Sequence, residues 1–181
     1  MGGRLDLFDL IAGACATLYA LALLLDPSAI FQMNGLMSIL SPGGRALYQL
    51  GMTGGVAWAQ GWWWTVFTAM YLHGSLLHIV FNVMWIRNLG PGVTQVYGPG
   101  RPFLLFNIAG VGSFLASNVM SGVPTIGASG SIFGLLAALI VYGRRRGSSM
   151  MTQQLWQWAI ILGVFGFIMP GINNWAHGGG F

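Results

Sequence analysis

Long apolar segments, separated by short polar or glycine-rich stretches, dominate the chain. Five of these segments are long enough, or nearly so, to cross a bilayer, which takes roughly 17–25 residues. They lie at about 7–25, 68–89, 103–120, 128–142 and 155–169. A sixth apolar helix is predicted to begin near 173, and the chain ends at 181. The pattern therefore predicts six transmembrane helices, with the last one incomplete.

The stretch from about 26 to 66 differs from these segments, because proline, glycine and polar residues interrupt its apolar runs. Proline breaks a helix since it lacks a backbone N–H. Residues 62–64 are all tryptophan, a residue that prefers the membrane–water interface. We therefore predict a long interfacial loop that contains short amphipathic helices.

Composition points to the bilayer as the solvent. Of the 181 residues, 55% are hydrophobic and only 6% are charged, whereas soluble domains carry about 25% charged residues. The net charge of +4 comes from scattered arginines, so nucleic-acid binding is not expected. Cys15 is the only cysteine, which excludes an intrachain disulfide and a cysteine-based metal site. We predict an all-α, multi-pass membrane protein with a single domain over 1–181.

The arginines predict the orientation of the helices. If the N-terminus is cytoplasmic, only Arg45 falls on the outer side, in the long first loop. The other arginines fall on the cytoplasmic side, as the positive-inside rule requires. These are Arg4, Arg87, Arg101, Arg144, Arg145 and Arg146.

Polar side chains inside membrane helices are costly, and each is therefore a hypothesis about function. His78 and Asn82 are four residues apart in the second span, which places them on one helix face. Ser129 opens the fourth span, and His177 lies near the start of the sixth. The predicted topology starts all three helices at the outer side, so we expect these side chains at similar depth.

A serine hydroxyl becomes a useful nucleophile when a base lies within hydrogen-bond reach, and histidine has a suitable pKa. The only acidic residues are Asp6, Asp9 and Asp26, on or near the first span. The sequence therefore offers a dyad, with Ser129 as nucleophile and His177 as base.

Acyl transfer also builds negative charge on a carbonyl oxygen, which needs fixed donors. We expect the side chains of His78 and Asn82 and the backbone N–H of Ser129 to supply them. Gly127 and Gly130 are expected to give a tight turn and a close backbone approach.

Three motifs resemble those of the rhomboid intramembrane serine proteases. They read Gly127-Ala128-Ser129-Gly130, His78-Ile79-Val80-Phe81-Asn82 and Ala176-His177-Gly178-Gly179-Gly180. Their order and the long first loop also match, so the resemblance covers nearly the whole chain. It implies a six-helix rhomboid-like bundle that cleaves transmembrane protein substrates near their outer ends, without a metal or cofactor. For the location we expect the bacterial inner membrane.

The chain departs from the family pattern at four places. Phe133 stands where many members have a tyrosine that stacks on the base, which keeps the ring and loses the hydroxyl. Many members have a Trp-Arg pair in the first loop, where this chain has Trp64-Thr65. Many also have a Glu-x-Arg motif at the cytoplasmic end of the second helix, where this chain has Thr94-Gln95-Val96. Both family motifs are mainly structural. Residues 173–181 give about 14 Å of helix at ~1.5 Å per residue, against a hydrocarbon core of roughly 30 Å. We therefore expect a fragment whose C-terminal part is missing.

Alternative interpretations accompany these residues. Ser129 could be a helix N-cap, and His177 could be a neutral histidine at the membrane interface. His78 with Asn82 could form an interhelical hydrogen bond. His73 is expected to have a structural or supporting role. Loop or cap roles are expected for Asn118, Asn173 and Asn174. A second function remains open, that of a catalytically inactive rhomboid-like protein that binds membrane clients.

Overall fold

The apolar segments form long helices in a computed structural model, which describes residues 6–31, 35, 38–169 and 171–181. Arg4 and Pro170 lie outside the described residues, as do residues 32–34 and 36–37 of the predicted interfacial loop. Over the described ranges the structure has no β-strand beyond an isolated bridge between Thr53 and Thr125. The helices that build the bundle are α1 (Leu7–Leu25), α5 (Leu76–Tyr97), α6 (Arg101–Met120), α7 (Ser129–Arg145), α8 (Ser149–Ile168) and α9 (Asn174–Gly180).

In its described residues the first loop contains only short helical segments. Three are α-helical, namely α2 (Gly44–Gln49), α3 (Gly55–Ala59) and α4 (Thr65–Thr68). Two further segments, Pro27–Phe31 and Ala69–Tyr71, are 3₁₀-helical. No described helix between α1 and α5 is therefore long enough to cross a bilayer.

Helix α5 begins at Leu76, later than the predicted start near 68. Ser75 caps the helix, because its hydroxyl accepts a hydrogen bond from the backbone N–H of His78 at 3.2 Å. A 93° bend separates Thr65–Tyr71 from α5. Hydropathy could not show this bend, since apolar residues continue on both sides of it.

Helix α5 also continues past the predicted end near 89. It includes Pro91 and reaches Tyr97, whose hydroxyl donates to the carbonyl of Ala138 at 2.7 Å. Leu89 and Val93 are buried on either side of the proline. Packing against α1 and α7 therefore holds the helix together where proline removes one of its hydrogen bonds.

Helix α7 lies at the centre of the bundle, where it packs against α5, α6, α8 and α9. Its buried apolar residues belong to the main core; they are Ile132, Leu135, Leu136, Leu139 and Ile140. The outer helices expose large apolar side chains such as Ile108 of α6 and Phe167 of α8. A core inside and an apolar surface outside are what a bundle in lipid requires.

Glycines bring α6, α7 and α9 into backbone contact. A Cβ added at Gly134 of α7 would overlap the Cβ of Ala109 on α6 and would lie 2.9 Å from the carbonyl oxygen of Gly180 on α9. A Cβ added at Gly180 would overlap the carbonyl oxygen of Gly130. Small residues permit this close approach, which membrane helices use for association.

An ion pair joins α1 to α5. The carboxylate of Asp9 lies 2.7 Å from the guanidinium of Arg87. The start of α1 and the second half of α5 therefore lie at the same end of the bundle.

Among the described helices, α1 and α6 are long and apolar enough to cross a membrane, and a third span results if Thr65–Tyr71 and Leu76–Tyr97 count as one bent element. The predicted fold class, an all-α membrane bundle, is confirmed. The assignment of each remaining helix as a full span stays a prediction.

We predict that Gly134→Ala destabilises the bundle, because the added methyl group would force α6 and α7 apart. Overpacking of this kind costs roughly 1–3 kcal/mol, so the thermal midpoint in detergent should fall by several degrees. Gly163→Ala is the matched control, since Gly163 lies inside α8 with open space around its Cα. Equal midpoints for the two variants would contradict the close packing.

Candidate active site

Ser129 and His177 form the closest polar contact between α7 and α9 that the structure describes. The Nε2 atom of His177 lies 3.0 Å from the Oγ atom of Ser129. The residues are 48 positions apart in sequence, and the glycine contacts between α7 and α9 bring them together. Ser129 is the first residue of α7, so its backbone N–H is among the donors that have no partner within the helix.

The imidazole of His177 is held from two sides. The ring of Phe133, one turn after Ser129, stacks on it with centroids 4.6 Å apart and planes 26° from parallel. On the other side, a Cβ added at Gly166 of α8 would lie 3.2 Å from the Nδ1 atom of His177. This Nδ1 atom is buried and has no hydrogen-bond partner among the described residues.

Asn174 ties α9 to α8 beside the imidazole. Its side-chain amide donates to the carbonyl of Gly166 at 3.0 Å. Gly166 lies in the last turn of α8, where carbonyls have no partner within the helix. The side chain of Asn174 therefore supplies a donor that the helix lacks.

Gly127 leaves room for the imidazole of His78. Its φ of +118° lies in the region that favours glycine. A Cβ at this position would lie 2.6 Å from the Nε2 atom of His78. The glycine therefore allows the loop before Ser129 to pass directly beside the imidazole.

Backbone contacts set the tautomer of His78. Its Nδ1 atom accepts a hydrogen bond from the backbone N–H of Gly74 at 3.3 Å. In a neutral imidazole one nitrogen accepts and the other donates. The proton of His78 therefore lies on Nε2, the nitrogen beside Gly127.

His73 and Asn82 flank His78. The ring of His73 is fully buried and meets the ring of His78 with centroids 5.0 Å apart. The Nδ1 atom of His73 lies 3.3 Å from the carbonyl of Tyr71, and its Nε2 atom has no partner among the described residues. The amide of Asn82 donates to the carbonyl of His78 at 2.8 Å, which leaves its second N–H free.

A cavity of about 570 Å³ joins these groups. Of the sequence-predicted site residues, Ser129, His177, His78, Asn82, Gly127 and Phe133 line it. His73 lies behind His78, away from the cavity wall. Gly130 is buried against α6, where an added Cβ would overlap the hydroxyl of Ser113. The structure therefore brings all eight predicted residues together. Six of them line the cavity, and His73 and Gly130 lie behind its wall.

The model of the rhomboid domain matches residues 60–181. This chain belongs to the rhomboid family. The match contains every site residue described above, and the family resemblance inferred from the three motifs is confirmed.

Several curated rhomboid proteins are similar to the chain. Rhomboid protease GluP of Bacillus subtilis is 36% identical over 126 residues, which are 67% of this chain and 25% of the relative. Rhomboid protease GlpG of Pectobacterium atrosepticum is 33% identical over 119 residues, 63% of this chain and 43% of the relative. Inactive RHOMBOID-like protein 8 of Arabidopsis thaliana is 28% identical over 125 residues, which are 65% of this chain and 35% of the relative. The chain thus spans less than half the length of these rhomboids.

Sequence reasoning missed a polar cluster at the edge of the site of this rhomboid, of which Asn173 and Thr125 also line the cavity. Asn173 caps α9 as expected, but its amide also lies within 3.0 Å of three hydroxyl oxygens, on Ser117, Ser121 and Thr125. Asn118 is not a loop residue, since it lies in α6 and donates to the hydroxyl of Thr53 at 3.0 Å. The serines at 113, 117 and 121 recur every four residues, a spacing that could have indicated a polar face on α6.

We predict that diethyl pyrocarbonate modifies His177 at least tenfold faster than His73. His177 lines the cavity, whereas the side chain of His73 is fully buried. Mass spectrometry of peptides from the protein in detergent would give both rates. Equal rates, measured before any loss of helical circular dichroism, would contradict the described burial of His73.

Proposed function

We propose that this rhomboid is an intramembrane serine endopeptidase that cleaves transmembrane protein substrates with a Ser129–His177 dyad. The observation that carries the proposal is the 3.0 Å separation of the His177 Nε2 and Ser129 Oγ atoms. A nucleophile and a base within 2.6–3.2 Å are the usual mark of covalent catalysis. The relatives named as proteases, GluP and GlpG, support the same activity.

In the proposed reaction, Oγ of Ser129 attacks the substrate carbonyl carbon while its proton moves to Nε2 of His177. The proton then passes to the leaving amine as the C–N bond breaks, and an acyl-enzyme remains. Water, with His177 again as base, attacks the ester carbonyl and releases the carboxylic acid. Stacking on Phe133 holds the imidazole in place through both steps.

The oxyanion of each tetrahedral intermediate requires donors that are already in position. We assign this role to Nε2–H of His78, the free amide N–H of Asn82 and the backbone N–H of Ser129. The hydrogen bond from Gly74 to Nδ1 of His78 supports this assignment, because it leaves the proton on Nε2. All three residues line the cavity.

The lateral wall of the cavity favours a substrate that arrives from the bilayer. Two aromatic pairs join α5 to α8 there: Phe81 with Phe165, centroids 6.2 Å apart, and Trp85 with Trp158, 5.5 Å apart. The side chain of Phe81 is also 46% exposed on the surface of the bundle. Because these pairs are contacts between side chains, rotamer changes can open a path between α5 and α8 from the lipid to Ser129.

We place the protein in the bacterial inner membrane with a cytoplasmic N-terminus. The distribution of arginines supports the orientation, and the organisms of GluP and GlpG support the compartment. The Asp9–Arg87 ion pair is consistent with this orientation, since it joins the start of α1 to the arginine-bearing half of α5.

The alternative function is an inactive rhomboid that binds membrane clients. One of the similar proteins, RHOMBOID-like protein 8 of Arabidopsis thaliana, is named inactive, which supports keeping this alternative. The two functions differ in one measurable property, the reactivity of Ser129.

We predict that a fluorophosphonate probe labels the chain in detergent and that Ser129→Ala and His177→Ala both abolish the labelling. The first variant removes the nucleophile and the second removes its base. Ser149→Ala, at an exposed serine of α8, is the matched control and should label normally. Labelling only after more of a sixth helix is appended would mean that the chain is part of a protease. Absence of labelling in either form would reject the enzyme and favour client binding.

We further predict that Phe81→Ala combined with Phe165→Ala raises cleavage of a transmembrane peptide several-fold in liposomes. Labelling of Ser129 by the small probe should stay within twofold, because the probe needs no lateral opening. Phe167→Ala is the matched control, because the side chain of Phe167 on α8 is 80% exposed. Parallel changes in cleavage and labelling would contradict entry between α5 and α8.

A further inference from the structure

Helix α9 carries the base but is intrinsically weak. Three of the residues that follow the imidazole, Gly178 to Gly180, are glycine. Each glycine is about 1 kcal/mol less favourable in a helix than alanine. Tertiary contacts must therefore fix the position of His177.

Asn173 supplies such contacts at the start of α9. Its backbone carbonyl accepts hydrogen bonds from the N–H groups of Ala176, at 3.1 Å, and His177, at 3.4 Å. Its side-chain oxygen accepts from the N–H of Trp175 at 3.1 Å. The residue that begins the helix is thus hydrogen-bonded directly to the residue that bears the imidazole.

The side-chain amide of Asn173 makes a second set of contacts, outside α9. Its nitrogen lies 2.7 Å from the hydroxyl oxygen of Ser117 and 3.0 Å from those of Ser121 and Thr125, so two N–H groups are shared among three oxygens. Two of these hydroxyls commit their own protons elsewhere: Ser121 donates to the carbonyl of Ser117, and Thr125 to the carbonyl of Val123, both at 2.8 Å. They are therefore acceptors toward the amide of Asn173. The hydroxyl of Ser117, 3.1 Å from that of Thr125, is a further donor in the cluster.

Thr125 connects this cluster to the nucleophile. It lies four residues before Ser129, as Asn173 lies four residues before His177. The N–H of Thr125 also donates to the carbonyl of Thr53 at 2.8 Å. Thr53 in turn accepts from the buried side chains of Asn118 and Thr65. The contact between Asn173 and Thr125 thus links the two segments that carry the reacting groups and anchors both to the first loop.

We propose that Asn173 is a positioning residue, which sets the distance between Ser129 and His177 by fixing the start of α9 to the loop before α7. The proposal rests on the proposed function for its catalytic consequence, but the contact itself can be tested without activity. Asn173 reaches no reacting atom, so it acts through the placement of His177.

The decisive variant is Asn173→Asp. An aspartate keeps the oxygen that caps α9 but replaces the N–H donors with lone pairs. The hydroxyls of Ser121 and Thr125 can donate to these lone pairs only by giving up their hydrogen bonds to the carbonyls of Ser117 and Val123. Thr125→Val removes one of these acceptors from the other side. Asn88→Asp, the same change at an exposed residue of α5, is the matched control for the added charge.

The first measurement is the rate of fluorophosphonate labelling of Ser129 as a function of probe concentration, together with the thermal midpoint. We expect Asn173→Asp to lower the maximal labelling rate at least tenfold. The probe concentration at half-saturation should stay within twofold of the parent value, and the thermal midpoint within a few degrees of it. Thr125→Val should lower the rate in the same direction, and the double variant should be no worse than Asn173→Asp because both act on one contact. An unchanged maximal rate, or a loss that only follows the midpoint, would overturn the proposal.

The second measurement is hydrogen–deuterium exchange of the amides of residues 175–181, which needs no activity. We expect Asn173→Asp to accelerate this exchange at least tenfold, with α5 unchanged and no effect of Asn88→Asp. If the parent chain does not label at all, the proposed function fails, whereas the exchange still decides whether Asn173 holds α9. Unchanged exchange in Asn173→Asp would overturn the positioning role in either case.

Discussion

The close approach of α7 to α6 and α9 is the constraint on which the rest of the site depends. The carbonyl of Gly130 lies where a Cβ of Gly180 would be, and the Cβ of Ala109 lies where one of Gly134 would be. In lipid the hydrophobic effect does not drive helices together, so association relies on this kind of packing and on hydrogen bonds. A wider spacing would move the imidazole of His177 out of reach of Ser129. The same glycines therefore serve the packing of the bundle and the geometry of the dyad.

Much of the candidate site could be predicted from the sequence because its chemistry needs unusual residues. A histidine or asparagine in an apolar helix is costly, so His78, Asn82 and His177 stand out, and spacing with topology places them near Ser129. The bend before α5 could not be predicted, because it depends on the cap that Ser75 gives and not on hydropathy. Continuation of α5 through Pro91 was missed for a similar reason, since tertiary packing there outweighs a local helix breaker.

The polar cluster around Asn173 shows a different limit of sequence reasoning. Asparagine, serine and threonine are common in loops and at helix ends, so none of them alone indicates a network. The partners are also distant in sequence: 56 positions separate Ser117 from Asn173, and 65 separate Thr53 from Asn118. Only the folded chain shows that their donors and acceptors match. What local spacing does show is the four-residue repeat of serines at 113, 117 and 121, which predicts a polar face on α6 and at its C-terminal end.

These two kinds of contact fix α9 in different ways. Glycine packing determines how closely α9 approaches α6 and α7, but a glycine surface presents few features that resist sliding or rotation. Hydrogen bonds are directional, so the amide of Asn173 and that of Asn174 set the register of the helix against the loop before α7 and against α8. As the proposed base, His177 must lie within about 3 Å of Ser129, and this placement needs both kinds of restraint. Close packing without directed hydrogen bonds would leave His177 near Ser129 but free to turn away from it.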